Sequence, residues 1–246
     1  MGAVDIYCLP YSGASAMVYS RWRRKLPDWL AVRPVELPGR GSRLGESLQT
    51  DMCALARQLA KELMPELRRP YALFGHSLGA LLAFELTHAL RELGCPPPLM
   101  LFASGTAAPT RREDYEKGYT QAKSDEELVA ELRDLQGTSE EVLANRELMN
   151  LTLPILRADF LMCGRYRYRQ RPLLELPIHV LGGKSDRSSM EQLQAWGEET
   201  VSDFSLSMFE GGHFFIHERE LRVLQVIIER LSSRLVPVRG GVAEHC

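Results

Sequence analysis

Residues 70–86 read PYALFGHSLGALLAFEL, an apolar run that halts at Gly75-His76-Ser77-Leu78-Gly79 before a second one begins at once. A hydroxyl flanked at two residues on either side by glycine has two readings. One is a tight turn, which Gly and Ser both suit. The other is a nucleophile elbow, a sharp strand-to-helix turn that strains the serine backbone and lifts its Oγ clear of the sheet. In an elbow, a Cβ at position 75 or 79 would collide with the neighbouring strand or helix, so both positions require glycine. Context separates the two: an elbow needs a buried strand before Ser77 and a helix after it.

The rest of the chain supplies that context. Short apolar runs recur at residues 6–10, 32–37, 71–75, 99–104, 178–183 and 204–212. Runs this short, separated by helical stretches, read as parallel strands covered on both faces. Met52, Leu55, Leu59, Leu63 and Leu67 form an amphipathic stripe, and Leu221, Leu224, Ile228, Leu231 and Leu235 form another. The expected fold class is α/β, a doubly wound, mostly parallel sheet of about six or seven strands. One domain over all 246 residues accounts for the length. One segment, about 106–171, carries only helical signals. Ser124-Asp125-Glu126-Glu127 and Thr138-Ser139-Glu140-Glu141 both match the capping box, with Gly137 between them where a helix C-terminus would want it. An insertion this long is usually functional, and a helical lid over the C-terminal ends of the strands is expected. The tail, about 236–246, reads as loose.

A serine hydroxyl is a weak nucleophile and needs a base. Of the six histidines, His179 falls in a strand-like run and His88 in a helical one, where a structural imidazole is the default. His245 lies in the tail, and His76 adjoins the serine with its side chain expected to point away. His213, in FEGGHFF, follows the last strand, where a base must arrive; His217 falls in the next helix. The base needs an acid to fix its tautomer and stabilise the imidazolium. Asp186, in GGKSDRSS after the fifth strand, is the choice over Asp159 in LRADF and Asp203 in VSDF. Its competing role is to cap a helix from Ser188. The order Ser77, Asp186, His213 is the one α/β-hydrolases use. The oxyanion hole is expected from the backbone N–H of Leu78 and one from LPYSGASA, placed at Ser12 with Gly13 as the alternative.

Several classes are disfavoured. Lys and Arg number 30 against 32 Asp and Glu, a net charge of −2, so neither nucleic acid nor a membrane is an expected partner. Five scattered cysteines without a C-x-x-C pair fit a reducing cytoplasm. No signal peptide is read at the N-terminus. His, Cys and carboxylates are not grouped as metal ligands and no phosphate-binding loop motif occurs, so no metal or other cofactor is expected.

With these motifs in hand a family is recognisable. LPYSGASA, VELPGRGSR, the elbow run, LQGTSEEVLANRELMNLTLPILRADF, YRYRQRPLLELPIHVLGGKSD and FEGGHFFI together resemble type II thioesterases, the editing enzymes of nonribosomal peptide and polyketide assembly lines. PGR and LPILRADF are far more specific than the elbow. One departure is YSGAS, where family members often carry two adjacent glycines. The resemblance implies an α/β-hydrolase that releases acyl groups from the 4′-phosphopantetheine arm of acyl or peptidyl carrier proteins, working as a cytoplasmic monomer. Carrier proteins are generally acidic. The basic clusters Arg21, Arg23, Arg24, Lys25 and Arg165, Arg167, Arg169, Arg171 are therefore either docking candidates or solvated faces. Other readings stay open: a fatty-acyl carrier-protein thioesterase or small-molecule esterase, an acyltransferase with the same triad, or a non-catalytic binding module.

Overall fold

The computed structural model describes residues 3–112, 119–135 and 138–235. Six strands, β1 (Val4–Leu9), β2 (Leu30–Pro34), β3 (Tyr71–His76), β4 (Leu101–Ser104), β5 (Ile178–Gly183) and β6 (Phe204–Phe209), form one sheet in the order β2-β1-β3-β4-β5-β6. Every neighbouring pair is parallel. The helices are α1 (Met52–Leu63), α2 (Leu78–Glu92), α3 (Asp125–Asp134), α4 (Glu140–Ala144), α5 (Arg146–Arg165), α6 (Met190–Gln194), α7 (Phe215–Glu218) and α8 (Glu220–Leu235).

Strand periodicity divides the core. On β1, Tyr7 and Leu9 pack towards α1 and α2, while Ile6 and Cys8 pack towards α8 and the aromatic pair Tyr19 and Trp22. Leu73 and Phe74 on β3 divide the same way, as do Leu101 and Phe102 on β4. Because both faces are covered, the central strands are apolar throughout rather than alternating. From β1 the chain moves to one side to make β2, then returns across to β3. The crevice outside the C-terminal ends of β1 and β3 is thus the topological switch point, where α/β sheets bind ligands. The loop after β1 and the turn at Ser77 both open there.

Three expectations need adjustment. The second strand ends at Pro34; the Val35 amide still donates to Cys8 O of β1, and Val35 and Leu37 are buried beyond the strand end. Leu67 lies beyond α1, because a 3-10 turn containing Pro65 ends the helix. On α8, Leu221 is 70% exposed, whereas Val223, Ile227 and Leu231 are buried. The i, i+4, i+8 row of branched residues sets the phase of that helix.

The insertion between β4 and β5 is helical in its described parts. Ser124 and Glu127 form a reciprocal capping box at the start of α3. The cap of α4 is Ser139, not Thr138, and its N3 residue is Val142, which has no carboxylate to complete a box. Gly137, and the tail from 236 on, lie outside the described residues.

Two buried histidines serve the scaffold. His179 on β5 is bracketed by the Ser205 and Ser207 hydroxyls of β6, at 2.6 and 3.1 Å. His88 on α2 accepts from Arg91 at 2.9 Å and stands against the Phe84 ring. Burial pushes His88 down to about 3, helped by Arg171 and Arg91, and His179 down to about 4, helped by Arg230. In the unfolded chain both would protonate near pH ~6.5. Between that pH and about 4 the unfolded state therefore binds more protons, and stability falls as pH falls, by up to about 1.4 kcal/mol per pH unit for each histidine. The urea midpoint should be clearly lower at pH 5 than at pH 7; equal midpoints would contradict the neutral assignment.

Candidate active site

Ser77 follows β3 directly and is the N-cap of α2, with φ 55° and ψ −118°. Among the described residues no other non-glycine has positive φ. Its hydroxyl makes no capping bond to its own helix, which leaves Oγ unspent. Its amide donates to Ser104 O at 2.7 Å, tying the turn to β4. A Cβ on Gly75 would stand 1.9 Å from Gly79 O, and one on Gly79 would stand 2.3 Å from Leu9 O. The first glycine lets strand and helix meet, and the second lets the helix pass the end of β1. Backbone crowding holds the serine in its strained conformation.

The loops after β5 and β6 bring Asp186 and His213 together. Gly183 packs so closely on the β6 loop that a Cβ there would lie 2.4 Å from Gly212 O. Ser185 N donates to Gly211 O, cross-linking the two loops. His213 Nδ1 lies 3.0 and 3.1 Å from the two oxygens of Asp186, whose side chain is almost wholly buried. That contact places the proton on Nδ1 and leaves Nε2 as the acceptor. The competing role for Asp186 is filled elsewhere, since Ser189 and Gln192 form the capping box of α6. Ser77, His213, Leu78 and Ser12 line one pocket of about 40 Å³, whose other walls include Phe160 and Cys163 of α5.

Below this pocket His76 occupies a place the sequence did not signal. Its ring centroid is 5.0 Å from that of His213, and its Nδ1 is 2.9 Å from Ser104 Oγ. Burial holds its pKa well below the ordinary value, with His213 and His217 adding to the effect. A neutral imidazole can lie beside His213 without opposing charge on it. His217, the other candidate base, sits on α7 with its Nε2 2.9 Å from the Tyr11 hydroxyl.

The rival acids are engaged elsewhere. Asp203 pairs with Arg234 at the surface. Asp159, on α5, is fully buried, and its two oxygens receive Arg40 Nη1 and Nη2, each at 2.7 Å. Asp159 Oδ2 also accepts the Gly13 amide at 2.8 Å. That amide is therefore committed to Asp159, which leaves Ser12 as the residue of the β1 loop at the pocket. Arg40 comes from PGR and Asp159 from LRADF, two motifs whose partnership the sequence did not disclose. The basic clusters differ too. Arg171 is not part of a solvated face: it forms a two-pronged pair with Glu85, which also accepts from the Tyr166 hydroxyl. Arg165, Arg167 and Arg169 are exposed and line a cleft of about 340 Å³ beside the start of α1. Arg21, Arg23 and Arg24 are exposed, and Lys25 pairs with Glu220.

The insertion also grips the loop after β5. Arg187, next to Asp186, reaches Glu131 of α3 at 2.7 Å and pairs with Asp134. Tyr119 and Lys123 converge on the same Glu131 carboxylate. Among the described residues no cluster of His, Cys, Asp and Glu could hold a metal ion. No helix among them is long and apolar enough to cross a membrane.

The family model for the thioesterase domain matches residues 5–234 of this chain. The chain belongs to the thioesterase family. The gramicidin S biosynthesis protein GrsT of Aneurinibacillus migulanus is 36% identical over 236 residues, covering 94% of this chain and 90% of that protein. The solved type II thioesterase BorB, from the borrelidin biosynthetic cluster, is 40% identical with a TM-score of 0.85, and the match covers 93% of each chain. RedJ, the thioesterase of the prodiginine pathway in Streptomyces coelicolor, is 36% identical with a TM-score of 0.86, covering 93% of this chain and 91% of that one. This thioesterase is accordingly an enzyme of thioester hydrolysis on the α/β-hydrolase fold its sequence led us to expect.

Proposed function

We propose that the chain is an editing thioesterase of the type II class, freeing acyl groups from the 4′-phosphopantetheine arm of carrier proteins in nonribosomal peptide or polyketide synthesis. The observation that carries the chemistry is the Asp186–His213 contact at a pocket that Ser77 enters from a strained, uncapped elbow. The similarity to GrsT, BorB and RedJ over nearly their whole lengths supports the substrate class.

In this reading Ser77 Oγ attacks the thioester carbonyl while His213 Nε2 takes the hydroxyl proton. Asp186 stabilises the imidazolium and keeps its Nδ1–H directed. The amides of Leu78 and Ser12 receive the oxyanion, the first from the N-terminus of α2. Collapse of the intermediate expels the pantetheine sulfur, which leaves as the thiol after taking the proton from His213. Water, deprotonated by the same imidazole, then attacks the acyl-serine; release of the acid restores Ser77. The residues named supply both proton transfer and charge stabilisation, so no metal or cofactor is needed in this scheme. Ser77→Ala should lose hydrolysis by several orders of magnitude with its melting temperature retained, and Asp186→Asn should lose on the order of 10⁴-fold. Steady-state rates from a folded Ser77→Ala above a tenth of wild type would sink the assignment.

The helices at 106–171 would act as the lid. The pocket of about 40 Å³ has room for little more than a few waters as it stands. Admission of an acyl chain and its arm would displace α3, which is held to the acid loop through Arg187. Carrier binding can supply the energy to order the lid around the thioester. A carrier-bound substrate should therefore outperform the same acyl group on N-acetylcysteamine. Arg165, Arg167 and Arg169 would attract an acidic carrier, chiefly by speeding encounter. Neutralising the three should lower kcat/KM on the carrier substrate and flatten its salt dependence, with the small thiol substrate almost unaffected. Equal losses on both substrates would dismiss these arginines as a docking surface.

A further inference from the structure

The most deeply buried ion pair among the described residues belongs to neither the triad nor the docking cleft. Arg40 and Asp159 are 3% and 0% exposed, and join in a fork of two 2.7 Å bonds. An arginine–carboxylate fork fixes the carboxylate plane as well as its position. The same carboxylate receives Gly13 N–H at 2.8 Å, and Arg40 Nη1 donates to Ala14 O at 3.3 Å. Both backbone groups lie in the loop after β1, immediately past Ser12. Gly13 has φ +79°, and a Cβ there would lie 2.7 Å from Leu156 Cδ2, so α5 also presses on the loop from the side. Burying two charges is costly and rarely adds stability over an apolar pair. Here the gain is a fixed loop geometry beside the pocket.

We propose that Arg40 and Asp159 are positioning residues that clamp the Ser12–Ala14 backbone, so that the Ser12 amide faces the oxyanion site. The proposal rests on the oxyanion role read for Ser12 above. The residues act through Gly13 and Ala14 and touch no substrate. Since Asp159 sits on α5, the clamp also anchors the last helix of the insertion to the sheet. Opening of the lid then falls to α3 and α4, while α5 keeps its place with the donor loop. The clamp thereby separates a moving part of the insertion from one that sets catalytic geometry.

The conservative test is Arg40→Lys, which keeps the charge and loses the fork. We expect kcat on an N-acetylcysteamine thioester to fall about tenfold with KM within about twofold, since misplaced groups weaken the transition state rather than ground-state binding. Two double variants isolate the Gly13 bond in a site with the ion pair removed. Arg40→Met/Asp159→Asn keeps an acceptor for Gly13 N–H, and Arg40→Met/Asp159→Leu does not. The second should have a kcat on the order of 10-fold below the first, and roughly 10²-fold below wild type, with thermal melting confirming that both are folded. A folded Leu double variant with kcat within threefold of wild type would overturn the clamp. Should that variant fail to fold, an unchanged kcat in Arg40→Lys overturns it instead. Labelling of wild-type Ser77 by a fluorophosphonate keeps the two readings apart. A labelled, hydrolytic wild type beside near-normal clamp variants refutes the clamp alone, whereas an unlabelled, inactive wild type refutes the oxyanion reading beneath it.

Discussion

Between β3 and α2 the backbone passes itself so closely that a side chain at Gly75 would stand 1.9 Å from Gly79 O. This crowding turns a parallel strand into a helix within one residue and gives Ser77 its positive φ. The rest of the site is arranged around that residue. The helix whose N-terminus begins at Leu78 is buried along nearly its whole length, so the turn cannot relax by tilting α2 outward. Strain at Ser77 is thus sustained by a helix buried over most of its length, as expected where backbone geometry serves chemistry.

Parallel topology then brings the other groups to the same edge. All six strands point one way, so the loops after β1, β3, β5 and β6 emerge together. The bare backbone of Gly183 lets the last two of these loops touch at Gly212 O, and Asp186 meets His213 across that contact. His76 fills the space beneath as a neutral ring, and Tyr11 ties the first loop to His217 on α7. The insertion supplies two further links, Arg187 to α3 and Arg40 to α5. One reaches the loop after β5 and the other the loop after β1, so the insertion is coupled to both sides of the pocket.

Much of this was legible in the chain because it depends on local patterns. The central strands announce themselves as continuous apolar runs, the glycines around Ser77 follow from what a sharp strand-to-helix turn requires, and Asp186 and His213 were legible as loop residues after β5 and β6. Failures arose where two local solutions compete. On α8 the expected stripe holds at Leu224, Ile228, Leu231 and Leu235 but fails at Leu221, because Val223 and Ile227 carry the buried face round past it. At Ser139 two adjacent hydroxyls could cap, and the one nearer the helix did. Arg40 and Asp159 were invisible for a different reason. They stand 119 positions apart, and a long-range ion pair leaves no periodic trace. Asp159 looked like a spare acid because only its partner reveals that both its oxygens are already engaged.

In the proposed mechanism Ser77 becomes covalently acylated and is freed by water under the control of His213. Rapid quench of wild-type enzyme with an acyl thioester, followed by peptide mapping by mass spectrometry, observes that intermediate directly. An acyl adduct is expected on the peptide spanning the elbow, localised to Ser77, forming within the first turnover and decaying as free acid appears. An adduct on another residue, or turnover with no adduct in single-turnover mixing fast enough to resolve acylation, would contradict it.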